Sequence, residues 1–292
     1  MFGKKVIHSK HLSAQKKRKR VFVSIFSILL VGIILGGVIY FARASFLQIK
    51  SIIITGNTTI SAEDLEKIVL EKTSGFYFFG LIPKKSILFY SKKDIEETLK
   101  KDFQHIKNIK VGSIGFSKLE ISVSEYKPSA LWCGDFSNTY LNVSVASTTK
   151  SIEPSANCYF LDNTGFIFSE APVFSDGVYF KYYGVINSPN PIKKQYLPSD
   201  AFREISTFLS NINKLGLDIS GLEKQEDGDF KVSLSGGGYI IFNRQYLLSQ
   251  TFENLQSFLN NREIFPKGFN SSTTIDHIDL RAGNKILYKI DN

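Results

Sequence analysis

The stretch VFVSIFSILLVGIILGGVIYFA, residues 21–42, decides the architecture of this 292-residue chain. It contains 22 consecutive residues without a charge and lies between Arg20 and Arg43. As a helix it would be about 33 Å long at about 1.5 Å per residue, which is enough to cross a hydrocarbon core of about 30 Å. No other stretch of the sequence approaches this length, so we predict a single transmembrane helix over 21–42.

The charges on either side of this stretch indicate its orientation. Residues 1–20 carry eight Lys or Arg and no acidic residue, and five of these cations stand together directly before the span. They are Lys16, Lys17, Arg18, Lys19 and Arg20. Because cations are enriched on the cytoplasmic side of membrane helices, we predict a basic cytoplasmic tail over 1–20 and an extracytoplasmic body after the span. This is the topology of a single-pass type II protein of the cytoplasmic membrane.

A cleaved signal peptide is the alternative interpretation of the apolar stretch. Ala42-Arg43-Ala44 is similar to an A-x-A cleavage site. The uncharged run is, however, longer than the roughly 7–15 residues of a signal-peptide core. The length therefore favours a retained anchor.

The composition outside the tail excludes several classes of function. Of the 36 basic residues, eight lie in 1–20, which leaves 28 basic against 27 acidic residues in 21–292. A nearly neutral body offers no basic face to a phosphate backbone, so we predict no nucleic-acid binding. Two cysteines and four histidines, two of the latter in the tail, are little material for a metal site. We predict neither a metal nor a cofactor, and no small-molecule substrate.

Residues 45–126 predict a small domain with the element order β-α-α-β-β. An Ile-rich strand over 46–55 ends at a Gly-Asn pair, and Ser61 with Asp64 is a helix-start signal. A second helix is predicted over 92–102. The two strands that follow, 106–113 and 116–125, alternate apolar and polar residues, which indicates one buried and one solvated face. The helices would cover the buried face and give an α+β fold.

Residues 127–292 predict a mostly antiparallel β domain that contains two helices. Asp200 is the expected N-cap of the first helix, and 246–260 is the second. The buried stripe of the first helix would be Phe202, Ile205, Phe208, Leu209 and Ile212. The polar, Ser/Thr-rich residues 137–156 predict a long surface loop. Two last strands, 274–281 and 285–290, would form a hairpin around a turn at Ala282-Gly283-Asn284.

The two cysteines lie in strand-like segments. If the strands around Cys133 and Cys158 are neighbours, a disulfide would bridge them, and an extracytoplasmic location permits it. Such a bridge would close a loop of about 25 residues and contribute roughly 3 kcal/mol. The alternative is a pair of free, half-buried thiols.

Sequence motifs for catalysis are weak in this chain. Gly236-Gly237-Gly238 precedes a strand, whereas phosphate-binding loops precede a helix N-terminus, so we interpret it as a hairpin turn. In Asp276-His277-Ile278-Asp279, strand alternation would place His277 and Asp279 on one face and Asp276 on the other, too few ligands for a metal site. We therefore predict a protein that is not an enzyme. Carboxylates from distant parts of the chain that meet in space would contradict this prediction.

Four motifs in order resemble the FtsQ/DivIB family of bacterial cell-division proteins. The first is Phe46–Asn57 with Ile60-Ser61, and the second is Leu119–Trp132, a strand that runs into "E-x-x-P-x-A-x-W". The third is Tyr159–Asp162 with Gly165–Phe168, and the fourth is Ile278–Arg281 with Asn284–Lys289. Behind a single span, this order covers about residues 15–292. Two departures from the family pattern are Ala282, where many relatives carry an aromatic residue, and the length of the 137–156 loop.

The resemblance implies a POTRA (polypeptide-transport-associated) domain over 45–126 and a scaffold role at the division septum. Family members join FtsB/DivIC-like and FtsL-like coiled-coil proteins and help to control septal peptidoglycan synthesis. A partner segment adds beside the last strand of the β domain. The resemblance therefore places partner binding on Arg281, Ala282, Gly283, Asn284, Lys285, Ile286, Leu287, Tyr288, Lys289 and Ile290.

The sequence of that last strand is compatible with pairing to an extended peptide. Alternation would put Lys285, Leu287 and Lys289 on one face and Ile286, Tyr288 and Ile290 on the other. The lysines would favour an acidic partner, with Leu287 or Tyr288 as the apolar anchor. The alternative is an ordinary hairpin with a charged outer face. Two further functions stay open: a membrane-anchored envelope hydrolase, and a POTRA protein of outer-membrane secretion or assembly.

Overall fold

A computed structural model describes residues 10–135, 157–175, 177–266, 268–269 and 274–290 of the chain, with side chains from residue 17 onward. The loop predicted at 137–156 lies outside these residues. The fold is α+β, as the sequence predicts. The chain divides into two compact units, Met1–Glu125 and Tyr126–Asn292.

The first helix, α1, extends from Lys10 to Arg43 and includes the whole predicted span. Its part from Lys17 to Arg43 is long and apolar enough to cross a membrane. The apolar side chains between Val21 and Leu35 are exposed rather than packed against protein. The helix therefore has the character of a membrane anchor.

The rest of the first unit is a three-stranded sheet with two helices and a small hairpin. After a 3-10 turn at Ser45–Leu47 come β1 (Ser51–Thr55), α2 (Ala62–Thr73), β2 (Phe76–Tyr77), β3 (Ile82–Pro83), α3 (Lys92–Asp102), β4 (Ile106–Ile114) and β5 (Lys118–Glu125). The sheet order is β1-β5-β4, with β1 parallel and β4 antiparallel to β5. The predicted order β-α-α-β-β is confirmed. Between α2 and α3 the chain also forms the short β2–β3 hairpin, which is not among the sequence predictions.

Local signals account for these helices. Ser61 caps α2 by accepting a hydrogen bond from the backbone N–H of Glu63, and Ser91 caps α3 in the same way. The buried side chains Leu65 and Val69 of α2 share one core with those of α3 and β5. The first strand begins at Ser51 rather than at residue 46 as predicted. Residues 45–47 instead form a 3-10 turn that buries Leu47.

The second unit has a nine-stranded sheet within the described residues and two helices. Its elements are β6 (Ala130–Trp132), β7 (Tyr159–Leu161), β8 (Ile167–Glu170), β9 (Lys181–Tyr183), α4 (Ser199–Lys214), β10 (Ile219–Lys224), β11 (Phe230–Leu234), β12 (Tyr239–Phe242), α5 (Leu248–Leu259), β13 (Ile275–Ala282) and β14 (Lys285–Ile290). The sheet order is β14-β13-β12-β11-β10-β9-β6-β7-β8. The sheet is mostly antiparallel, with parallel pairs at β12–β13, β9–β10 and β6–β9.

Helices α4 and α5 supply much of the core of this unit. The predicted stripe of α4 is buried from Phe202 to Ile212, which confirms the helical period. The predicted N-cap at Asp200 is wrong. The helix begins at Ser199 after Pro198, whose carbonyl accepts the N–H of Phe202, while the Asp200 carboxylate pairs with Arg203. Pro198 has no side-chain oxygen, so no side-chain cap hydrogen bond forms at this end of the helix.

Strands β6 and β7 are antiparallel neighbours, with Trp132 opposite Tyr159. Cys133 follows Trp132 and Cys158 precedes Tyr159, and the structure joins the two cysteines in a disulfide with their Cα atoms 4.2 Å apart. Leu131 and Phe160 pack with both cysteines in a second, smaller core cluster. The bridge thus links the two ends of the segment 134–157, most of which lies outside the described residues.

Candidate partner-binding edge

The large sheet of the second unit has two edge strands, β8 and β14, and they differ. Along β8, the N–H of Ile167 donates to the carbonyl of Lys194 at 2.9 Å, and the N–H of Lys193 donates to the carbonyl of Ile167 at 2.8 Å. The chain itself therefore covers that edge. No segment among the described residues pairs with the outer side of β14. An open edge of this kind presents N–H and C=O groups to an incoming strand.

The turn that leads into β14 is fixed from outside the hairpin. Ala282 pairs with Lys285, so Gly283 and Asn284 form a two-residue turn. Gly283 has a φ of +66°, and a Cβ there would lie 3.0 Å from the ring of Tyr246. The side-chain amide of Asn254 on α5 donates to the carbonyl of Gly283 at 3.1 Å. These contacts hold the turn, and with it the start of β14, in place.

Strand β14 has the two faces that the sequence predicts. Ile286 and Ile290 are half-buried against the core, and the ring of Tyr288 lies 4.7 Å from that of Phe258 on α5. On the other face Leu287 is 59% exposed. Of the two predicted apolar anchors, Leu287 is the one with a mostly exposed side chain, whereas the ring of Tyr288 packs against Phe258.

The lysines of the outer face differ in their surroundings. The Nζ atom of Lys289 lies 3.5 Å from a carboxylate oxygen of Asp276 on the neighbouring strand. Lys285, beside the turn, is exposed. The positive charge at this edge is therefore partly balanced near Ile290 and stronger near the turn.

Arg281, predicted to bind a partner, has structural partners. Its guanidinium donates to both carboxylate oxygens of Asp279 at 2.9 and 2.7 Å and to Asp229 at 2.7 Å. The hydrogen bonds to Asp279, and then those to Asp229, raise the pKa of Arg281, and Arg281 in turn lowers the pKa of Asp279. This arrangement ties the end of β13 to the start of β11.

The sequence Asp276-His277 is arranged differently from the prediction. A bulge between Ile275 and His277 interrupts the alternation, so Asp276 and His277 lie on the same outer face. Nδ1 of His277 and the Asp276 carboxylate share a hydrogen bond of 2.8 Å, which lowers the pKa of Asp276. The imidazole also stacks on the ring of Tyr239. Within the described residues no group of three or more His, Cys, Asp or Glu side chains is placed to hold a metal ion.

The supporting residues Tyr246 and Asn254 were not among the sequence predictions. They lie about 30 to 40 residues before the turn that they hold, and neither belongs to a recognisable motif. The arrangement as a whole suits binding of an extended peptide: an open strand edge, an exposed leucine beside it, and a fixed turn.

Comparison with known families adds evidence from the first unit. Residues 47–126 match the family model of the POTRA domain, FtsQ-type. Domains of this type are generally non-enzymatic, and one placed behind a membrane-type helix supports a division-type scaffold. No curated protein matches the chain.

Proposed function

We propose that this chain, an FtsQ/DivIB-like protein, is a non-enzymatic scaffold of the bacterial division machinery. It has an FtsQ-type POTRA domain behind an apolar helix. As a scaffold it binds FtsB/DivIC-like and FtsL-like coiled-coil proteins outside the cytoplasm. By holding them at the septum it helps to control septal peptidoglycan synthesis.

The proposed topology follows from the charges around α1. The basic tail stays in the cytoplasm, and α1 is retained as a single-pass anchor. The part of the first unit that follows α1 and the whole second unit then lie on the extracytoplasmic side of the membrane. A disulfide between Cys133 and Cys158 is compatible with that location, because thiols are kept reduced in the cytoplasm.

The observation that carries the proposed mechanism is the open edge of β14. A partner segment adds there as a further strand, and main-chain hydrogen bonds supply affinity. Leu287, exposed on the outer face, supplies an apolar contact. Lys285 beside the turn favours an acidic residue in the partner.

Two proline variants test this mechanism. Along an antiparallel strand, consecutive N–H groups point alternately to the neighbouring strand and away from it. Leu287→Pro and Tyr288→Pro therefore remove one amide that faces β13 and one that faces outward. The variant that loses the outward amide keeps the hairpin, and we expect it to lose most of its affinity for the extracytoplasmic parts of the FtsB/DivIC-like and FtsL-like proteins.

The measurement is partner binding by the purified fragment 45–292, with circular dichroism to identify the proline variant that keeps its fold. The matched control is threonine at the position of the folded proline variant, Leu287→Thr or Tyr288→Thr, because threonine retains the backbone N–H and suits a strand. We expect it to weaken binding less than the folded proline variant. Wild-type affinity in a folded variant that lacks the outward amide would refute strand addition at β14.

A further inference from the structure

The segment Phe76-Tyr77-Phe78-Phe79-Gly80-Leu81 in the first unit is strongly apolar and exposed. Phe78 is 72% exposed and Phe79 is fully exposed, and more than half of Phe76 is accessible. A contiguous patch of this kind on a protein surface usually marks an interaction site.

This segment is attached to the end of α1. The Arg43 side chain donates through Nε to the carbonyl of Leu81 at 3.1 Å and through its terminal nitrogen to that of Gly80 at 2.7 Å. Arg43 is the first charged residue after the uncharged run 21–42. The segment therefore lies level with the end of the apolar helix.

The backbone of the segment turns the aromatic side chains outward. Phe78 and Phe79 have φ values of +48° and +55°, a left-handed conformation that is rare for bulky residues. The β2–β3 hairpin holds them there, with Tyr77 opposite Ile82. Such a conformation is unfavourable for non-glycine residues and is found mainly where the surrounding structure enforces it and function requires it.

The surroundings match the boundary between lipid and water. Tyr40 and Phe41 in the last turn of α1 are exposed, and aromatic residues are enriched at this depth in membrane proteins. Lys84 follows the hairpin, with its Nζ 5.3 Å from the ring centre of Tyr77, and Lys85 is next. Cations beside an apolar insertion attract anionic lipid headgroups.

We infer that residues 76–81 insert into the outer leaflet of the membrane that α1 crosses, and so form a second, interfacial attachment of the POTRA domain. The inference rests on the proposed membrane span. The occupant of the exposed apolar surface is lipid, because that surface is continuous with the lipid-facing end of α1. The attachment would limit how far the domain tilts or rises from the bilayer.

Fluorescence quenching in the full-length protein tests this insertion. Both native cysteines are in the disulfide, so Phe79→Cys provides a single thiol for an environment-sensitive dye. The labelled chain is reconstituted into vesicles of phosphatidylethanolamine and phosphatidylglycerol that contain nitroxide-labelled lipid. We expect emission to fall by roughly twofold or more with a nitroxide near the headgroups.

Two further label positions separate this inference from the proposed anchor. Leu30→Cys lies near the middle of the span and is therefore measured with a nitroxide deep in the acyl chains, whereas Phe79→Cys and Ser124→Cys are measured with the shallow one. Ser124 is exposed and lies about 20 Å along β5 from Lys118. Lys118 is at the end of the sheet that adjoins the residues after α1, so Ser124→Cys places a label away from that end. Quenching at Leu30 and Phe79 but not at Ser124 supports the insertion. Quenching at Leu30 alone overturns the insertion and leaves the anchor, and no quenching at Leu30 overturns both.

A second variant shows whether the aromatic side chains hold the segment in the bilayer. Phe78→Ser is combined with the label at Phe79→Cys, and the fold is checked by circular dichroism. Loss of an apolar group should move the label outward and reduce its quenching by the shallow nitroxide. Unchanged quenching would mean that the link to α1, rather than insertion, sets the position of the label, and would overturn the inference.

Discussion

The carboxylate of Glu125, the last residue of β5, accepts a hydrogen bond of 2.7 Å from the backbone N–H of Thr58. It also accepts the backbone N–H groups of Thr59 at 2.9 Å and Ile60 at 3.2 Å, and the Thr58 hydroxyl at 3.0 Å. Burial opposes the charge, but these hydrogen bonds outweigh it and lower the pKa of Glu125 to about 2. One side chain thus holds the loop that leads into α2.

Glu125→Gln should destabilise the first unit at neutral pH. Because the folded-state pKa of Glu125 is lowered, its contribution is complete above the unfolded pKa of about 4.3 and is lost as the pH falls towards 2. We expect a loss of about 1–2 kcal/mol at pH 7, which shrinks as the pH falls below 4. Urea unfolding of fragment 45–292 at several pH values measures this loss of stability. Glu66→Gln, which changes an exposed glutamate on α2, is the control.

The single tryptophan allows unfolding of the second unit to be followed separately. Trp132 is buried in the second unit, where its Nε1 donates to the carbonyl of Gly184 at 3.0 Å. Its emission therefore reports on the second unit, whereas circular dichroism reports on both. We expect the Glu125 variant to shift the dichroism transition more than the Trp132 transition. A pH-independent effect of Glu125→Gln would contradict the assigned role of its charge.

Gly238→Ala should destabilise the second unit far more than Gly236→Ala. A Cβ on Gly238 would lie 1.9 Å from the carbonyl oxygen of Ile275, and the residue has a φ of +78°. At Gly236 no atom lies within 4 Å of the added Cβ. We expect a loss of about 2–4 kcal/mol for Gly238→Ala and within about 0.5 kcal/mol for Gly236→Ala. Trp132 emission in urea measures both, and similar losses would refute the close approach.

The features that the sequence predicts well are those set by local rules. Ser61 caps α2 as expected, and the stripe from Phe202 to Ile212 is buried, because capping and the 3.6-residue period depend on neighbouring residues. The alternation on β14 likewise put Leu287 and Ile286 on opposite faces, and in the structure Leu287 is exposed while Ile286 is half-buried. The existence and order of the last two strands followed from the same period.

The features that the sequence does not predict depend on contacts between distant residues. The bulge that brings Asp276 and His277 together arises from pairing with β14, and no residue type in this strand indicates a bulge. The role of Glu125 depends on residues more than 60 positions earlier in the chain. The coverage of β8 by Lys193 and Lys194, which leaves β14 as the open edge, could not be deduced from strand patterns alone.

Loss of the disulfide should lower the stability of the second unit. Cys133 and Cys158 are 25 residues apart, and a cross-link of that length contributes roughly 3 kcal/mol by restricting the unfolded chain. The double variant Cys133→Ser, Cys158→Ser should therefore unfold at a lower urea concentration, as followed by Trp132 emission. Reductant should shift the wild type to the same midpoint and leave the variant unchanged. An effect of reductant on the double variant would show that the shift has another cause.

Arg281→Lys separates a structural role from a partner-binding role at the end of β13. Arg281 bridges Asp229 and Asp279, whose side chains are 14% and 16% exposed, and lysine cannot reproduce the two-pronged contact. We expect a stability loss of about 1–2 kcal/mol and a higher pKa for the Asp279 carboxyl, which is measured by NMR titration. Because the guanidinium is committed to these carboxylates, partner affinity of the folded variant should change little. A large loss of affinity with an unchanged Asp279 pKa would instead assign Arg281 to the partner interface.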